Sequence, residues 1–206
     1  MVFTVEYLKK AFAAWAEIMA ANKEELIRLD GIAGDSDLGL TMTDGFAAGS
    51  AMAQGYEGND LGMLTYQAGK ALMSKAPSSL GTLLGSAFMK AGQYAKGKES
   101  VSGEELYLYF DAFQRGIMDR GKANVGDKTF LDGFDPAVQV FKNAADYAND
   151  KELLDAAATA ARAGSDNTAN LVARHGRMAI RGNASIGMID PGSVVAALMF
   201  EGLAKA

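Results

Sequence analysis

Apolar residues fall at helical spacing almost from one end of this chain to the other, which leaves little room for a sheet. Leu8, Ala11, Phe12, Trp15, Ile18 and Met19 mark the i, i+3, i+4, i+7 face of a first helix, and Thr4 is placed to cap it. The same period predicts helices over 40–54, 59–75, 80–96, 103–121, 136–148, 151–173 and 192–204. Ser102 with Glu105 has the form of a capping box. Asp135-Pro136 and Asp190-Pro191 each set a capping carboxylate before a proline at the first helical position, where no amide donor is missed. No pair of alternating strands stands out, and Val194-Val195 sits inside a helical pattern. The expected fold is all-α: one domain over residues 1–206, a bundle of about eight antiparallel helices.

Composition narrows the chemistry. The 206 residues include no cysteine and a single histidine, His175. Thiolate metal sites, disulfides, cysteine nucleophiles and two-histidine metal centres are therefore excluded. A net charge of −5 gives no nucleic-acid footprint. No run approaches the ~20 apolar residues that span a bilayer. Lys9 and Lys10 lie inside an amphipathic segment rather than ahead of an apolar one, unlike a signal peptide. A cytoplasmic protein with no membrane or nucleic-acid partner is expected.

Charge is uneven in one region. Between Arg28 and Lys70 there is no Lys or Arg, yet Asp30, Asp35, Asp37, Asp44, Glu57 and Asp60 all fall there. Three of these lie within Asp30-Gly-Ile-Ala-Gly-Asp35-Ser-Asp37-Leu-Gly39. Carboxylates this close repel one another unless they face water or share a cation. A glycine-rich turn can bring them together as hard oxygen ligands for Mg²⁺. An EF-hand is excluded, since from Asp35 its glycine and glutamate positions hold Leu40 and Phe46. A solvated turn whose aspartates cap the helix beginning near Leu40 accounts for the spacing equally well.

Phosphate would need amides or cations. Gly92-Gln-Tyr-Ala-Lys-Gly97-Lys98 resembles a P-loop, but Glu99 replaces the Ser/Thr and no strand precedes it. Pro77-Ser78-Ser79-Leu80-Gly81-Thr82 stands before a helix, where free amides and the dipole favour an anion; an ordinary cap at Ser78 or Ser79 explains it as well. Arg174, His175, Arg177 and Arg181 lie in a glycine-containing stretch, 174–191, that reads as the longest non-helical segment. Such loops are more often functional than idle. His175 is assigned no catalytic role and reads as a surface or partly packed residue.

Taken in order, Asp30…Gly34-Asp35-Ser-Asp37-x-Gly39, Arg120-Gly121-Lys122-Ala123…Gly126-Asp127-Lys128-Thr129, Gly176-Arg177 and Ser185-Ile186-Gly187…Asp190-Pro191-Gly192 resemble the nucleotide-binding subunit family of dihydroxyacetone kinase. That family also supplies the C-terminal domain of single-chain, ATP-dependent forms. The resemblance implies a barrel of eight antiparallel helices with the nucleotide at one end. It implies two Mg²⁺ ions on Asp30, Asp35 and Asp37, bridging the phosphates of ADP or ATP. Phosphate contacts would come from Leu38, Gly39, Leu40 and Thr41 and from Ser79 and Leu80. Base and ribose contacts would come from Gly121, Phe130, Arg177, Asp190, Pro191 and Gly192. The triose would be held by a separate dihydroxyacetone-binding subunit, and in the phosphotransferase-coupled version a phosphohistidine carrier protein recharges bound ADP.

The chain departs from the family pattern at Leu38, where histidine is usual, and at Pro77, Ser78 and Leu80, where glycines and a small residue are usual. These departures motivate an alternative: a catalytically weakened, nucleotide-sensing regulator of the same fold.

Overall fold

In the computed structural model, which describes every residue except 145, 146 and 148, the helical expectation holds with specific corrections. Nine α-helices are described: α1 Val5–Ala21, α2 Lys23–Asp30, α3 Leu38–Gln54, α4 Leu61–Lys75, α5 Ser79–Tyr94, α6 Glu104–Gly121, α7 Phe130–Lys142, α8 Asp150–Asn167 and α9 Pro191–Leu203. The C-terminal end of the helix expected over 136–148 falls partly outside the described residues. No helix is long and apolar enough to cross a membrane among those described.

The expected face of α1 is buried in full, and Thr4 accepts from the Tyr7 amide at 3.1 Å. Trp15 uses its indole N–H on the Met199 carbonyl at 2.7 Å, pinning α1 to α9 while its ring stays in the core. Asp190 caps α9 as expected, accepting from the Ser193 amide at 2.7 Å.

Other starts differ. Helix α7 begins at Phe130, not at Pro136. Thr129 and Asp132 form its capping box, and this reciprocal pair outcompetes the later Asp-Pro signal. Pro136 is then inside the helix, where it cannot donate to the Asp132 carbonyl. Gly164 of α8 packs directly on that carbonyl, where any Cβ would stand 2.4 Å from the oxygen. The cap of α6 is Gly103 rather than Ser102, which belongs to a strand.

That strand is a second correction. Val2–Thr4 (β1) pairs antiparallel with Ser100–Ser102 (β2), Phe3 opposite Val101, both fully buried. Each strand is three residues long, too short for alternation to show against a helical background. The separate helix α2 is likewise unannounced by the apolar period, burying only Leu26 and Leu29.

Packing neighbours run α1–α3–α4–α5–α6–α7–α8–α9 and return from α9 to α1, with α2 against α3 and α9. Eight helices thus close a circuit, which matches the expected number. The interior is filled by Phe88, Phe113, Phe134 and Phe200, with ring centroids of Phe113 and Phe200 at 4.8 and 4.9 Å from Phe134. The arrangement is a packed bundle rather than an open barrel.

Candidate functional site

Six helix termini meet at one end of the bundle: the C-terminal ends of α2 and α6 and the N-terminal ends of α3, α5, α7 and α9. They surround a cleft of about 880 Å³. Four helix N-termini bring partial positive charge to one space, which favours an anion.

Opposite charge is supplied by the turn between α2 and α3. Asp30 closes α2 and Asp37 precedes α3, and carboxylate oxygens of Asp30, Asp35 and Asp37 lie within 4.8 Å of one another. Asp30 folds back as the sequence allowed: its Oδ2 accepts from the amides of Asp37 at 3.0 Å and Leu38 at 3.3 Å. Ser36 turns the chain with φ of +62°, and Gly34 leaves room for the folded carboxylate; a Cβ at Gly34 would lie 2.0 Å from Asp30 Oδ1. Partial burial, then the charges of Asp35 and Asp30, push the Asp37 carboxyl above its ordinary range, with Arg177 opposing them. Helix capping accounts for part of this turn, but only Asp30 caps anything; Asp37 makes no side-chain cap bond. The remaining oxygens are hard donors crowded together, a set that fits Mg²⁺.

The far wall begins at Pro77. Ser78 caps α5 by accepting from the Gly81 amide at 3.1 Å, leaving the first-turn amides of Ser79 and Leu80 as those a helix cannot pair internally. Gly121 ends α6, and the chain turns through Lys122 at φ +55°. Phe130 lines the cleft but is only 3% exposed, stacked on Phe134 at 5.3 Å. It presents an edge of the core rather than a free aromatic face.

A strap, residues 171–190, crosses the mouth and contains a 3₁₀ segment, Arg177–Ser185. This corrects the reading of 174–191 as non-helical. Arg177 pairs with the Asp35 carboxylate, and Arg181 donates to the Ile32 carbonyl, so the basic strap meets the acidic turn. His175 is less idle than its sequence setting implied: it lines the cleft and meets Asp127 Oδ2 at 3.2 Å. The Asp190 carboxyl is enclosed although the residue as a whole is half-buried. Burial pushes it up to about 7, with the Ser193 amide opposing.

Of the residues expected to bind nucleotide, Leu38, Ser79, Leu80, Gly121, Phe130, Arg177, Asp190, Pro191 and Gly192 line this one cleft with the three aspartates. Gly39, Leu40 and Thr41 do not. Gly39 packs on α2, where a Cβ would meet the Lys23 carbonyl oxygen at 2.2 Å. Leu40 is 45% exposed away from the lining, and buried Thr41 donates to the Leu38 carbonyl. Sequence reasoning missed Arg120 and Lys128 as lining residues. Both stand in quoted motifs, but nothing in their spacing marks where they point.

Fold and site define a predominantly helical protein with a cleft of about 880 Å³ at one end of its bundle, carrying three clustered carboxylates. The chain belongs to the DAK2 domain family, which it matches over residues 32–205. It is 32% identical over 191 residues to the PEP-dependent dihydroxyacetone kinase, ADP-binding subunit DhaL, of Escherichia coli (strain K12), covering 92% of this chain and 91% of that one. A Listeria innocua relative, the ADP-binding subunit DhaL of PEP-dependent dihydroxyacetone kinase 2, is 33% identical over 178 residues, covering 85% and 82%. The crystal structure of the dihydroxyacetone kinase from C. freundii in complex with AMP-PNP and Mg²⁺ superposes with a TM-score of 0.70 at 23% identity. It covers 98% of this chain, which spans 33% of that longer one. At that identity the likeness establishes the fold.

Proposed function

We propose that this chain is the nucleotide-binding, phosphoryl-transfer subunit of a dihydroxyacetone kinase, acting on a triose or related ketose held by a partner subunit. The observation that carries this reading is the convergence of four helix N-termini on a cleft whose rim holds three clustered carboxylates. Neither charge makes sense alone: the carboxylates call for a cation, and the amides call for an anion. A Mg²⁺–nucleotide complex supplies both.

On this reading Asp30, Asp35 and Asp37 hold Mg²⁺, two ions in all. Bound there, the metal neutralises phosphate charge, the main requirement of phosphoryl transfer. Amides of Ser79 and Leu80 take phosphate oxygens, and the N-terminus of α3 at Leu38 contributes its dipole. Gly121, Phe130 and Asp190-Pro191-Gly192 form the wall for base and ribose; Arg177, expected among them, covers the phosphates instead, because it pairs with Asp35. Gly39, Leu40 and Thr41 support the turn and stay outside the cleft lining.

The partner would dock where Ile180, 92% exposed, and Ile186, 53% exposed, stand on the strap. Its substrate is named by the relatives only in part. Besides the dihydroxyacetone kinase subunits, an L-erythrulose 1-kinase of Mycolicibacterium smegmatis is 31% identical over 197 residues, though this chain spans just 33% of it. A phosphohistidine carrier recharging bound ADP agrees with the PEP-dependent relatives. Leu38 and Leu80, apolar at the phosphate end of the cleft, favour the second reading of a nucleotide-sensing regulator.

The test is direct. Protein purified in Mg²⁺ is denatured and its released nucleotide identified, with and without prior chelation; Asp35→Asn and Asp37→Asn are then titrated with Mg²⁺ and ADP. Loss of Mg²⁺-dependent binding with unchanged helix content is expected. Unaltered affinity in both variants would sink the metal assignment. Transfer to a ketose in the presence of a cognate sugar-binding subunit separates kinase from regulator.

A further inference from the structure

Lysine is rarely enclosed without a carboxylate partner, yet Lys128 is 1% exposed. Among the described residues no carboxylate lies within ion-pair distance of it. Its ammonium donates instead to the carbonyls of Ser185 and Met188, each at 2.6 Å, and of Leu171 at 3.2 Å. Three donors meet three acceptors, so the group is saturated. The acceptors stand at both ends of the strap. The backbone at Lys128 is left-handed, φ +60°, a strained conformation for a residue with a side chain. A buried ammonium is itself expensive beside an apolar chain of equal length.

Few apolar side chains anchor the strap. It buries Ala173, Met178 and Ser185, while Ile180 and Ile186 face outward. Asp127 ties its first half, through the Arg174 amide at 3.1 Å, the Arg174 guanidinium and His175. The second half is held by Lys128, by the Gly187 amide on the Ala169 carbonyl at 2.7 Å, by the Asp190 amide on Thr168 Oγ1 at 3.0 Å, by Arg181 on the Ile32 carbonyl, and by the Ser185 hydroxyl, which accepts from the Ala173 amide of the first half. Such a segment, with few apolar anchors and polar ties, opens locally before the bundle does.

We propose that Lys128 is a positioning residue for the nucleotide cleft: by gathering both ends of the strap it places Arg177 over the Asp30–Asp35–Asp37 turn. The consequence for ligand binding rests on the nucleotide reading given above; the hold on the strap does not. Burial lowers the proton affinity of this lysine, with the charge of Asp190 opposing; the three carbonyl acceptors are the geometric match to an ammonium.

Lys128→Met keeps the length and removes the donors. In the ligand-free chain, amide hydrogen exchange at 182–188 is expected to accelerate about tenfold or more, with exchange in α4 and α5 unchanged. Mg²⁺·ADP should bind about tenfold more weakly, while Mg²⁺ alone binds no worse, since the carboxylate turn is built by α2 and α3. Unchanged exchange at 182–188 overturns the proposal. So does equal acceleration in strap and helices, which marks a merely structural lysine. If the Met variant does not fold, Lys128→Arg decides by the same reading. Its planar fork cannot aim three N–H groups at three convergent carbonyls, so faster strap exchange supports the proposal and wild-type exchange overturns it. A wild-type chain that fails to bind Mg²⁺·ADP would instead sink the nucleotide reading, a result independent of exchange in the strap.

Discussion

Arg177, on the strap, reaches the carboxylate of Asp35, on the turn between α2 and α3, although 142 positions separate them in sequence. The guanidinium therefore occupies a place beside the very oxygens assigned to Mg²⁺. One cation at the turn competes with the other.

Arg177→Ala should accordingly change two affinities in opposite directions. Both side chains are largely exposed, 63% and 43%, so the pair is worth at most about 1 kcal/mol. Mg²⁺ alone should then bind up to about fivefold more tightly, while Mg²⁺·ADP is released faster. Calorimetry of the metal and stopped-flow release of nucleotide check each half. An unaltered off-rate would remove Arg177 from the pocket.

Gly34→Ala tests the turn without touching a carboxylate. The new Cβ would sit 2.0 Å from Asp30 Oδ1 and 2.9 Å from the Asp30 carbonyl oxygen, so the carboxyl must rotate away. It would give up its bonds to the Asp37 and Leu38 amides, at a cost of about 1–2 kcal/mol, and Mg²⁺ affinity should drop about tenfold. Wild-type metal affinity in a variant shown to fold would mean that Asp30 is not a ligand.

Leu38→His addresses the departure from the family pattern. Leu38 is 7% exposed and also lines the cleft, so the imidazole must find a partner there or lose about 1–3 kcal/mol of stability. With a competent ketose-binding partner, transfer should rise if the missing donor is what weakens the site. A folded variant with no gain places the weakness elsewhere, with Leu80 the next position to change.

Asp190 makes stability depend on pH. Its carboxyl is held at about 7 against an unfolded value near 3.8, so the folded chain keeps its proton after the unfolded chain has lost it. This contribution is present below pH 4 and is lost as pH rises from 4 to 7. Each unit is worth about 1.4 kcal/mol, so on the order of 2–4 kcal/mol is at stake. Asp190→Asn keeps an oxygen for the Ser193 amide and cannot ionise. Its melting temperature should exceed that of the wild type at pH 8 and converge with it at pH 4. Parallel curves would show that Asp190 does not titrate in this window.

How much of this was legible beforehand differs from element to element. The face of α1 and the caps at Thr4, Ser78 and Asp190 follow from local spacing, because a helix stripe and a cap are set by neighbours within one turn. The start of α7 was misplaced because two cap signals compete six residues apart, and only the docked helix shows that Thr129–Asp132 prevails. The β1–β2 pair was invisible, since it joins residues about 98 apart and is only three residues deep. Within the site, the aspartate turn was the clearest feature: its three carboxylates and glycines lie within ten residues.

Sequence alone thus determined what local chemistry can determine: a predominantly helical chain, an acidic turn that crowds three carboxylates, free amides before α5, and the motif order that marks the family. Tertiary structure decided which of these meet. Four helix N-termini share one cleft because the bundle circuit alternates helix direction. Gly39, Leu40 and Thr41 turn away from it because α3 must pack on α2 and the core. Lys128 and Arg177 acquire their roles only when the strap closes over the mouth, since an ammonium finds three carbonyls, and a guanidinium its carboxylate, through folding rather than proximity along the chain.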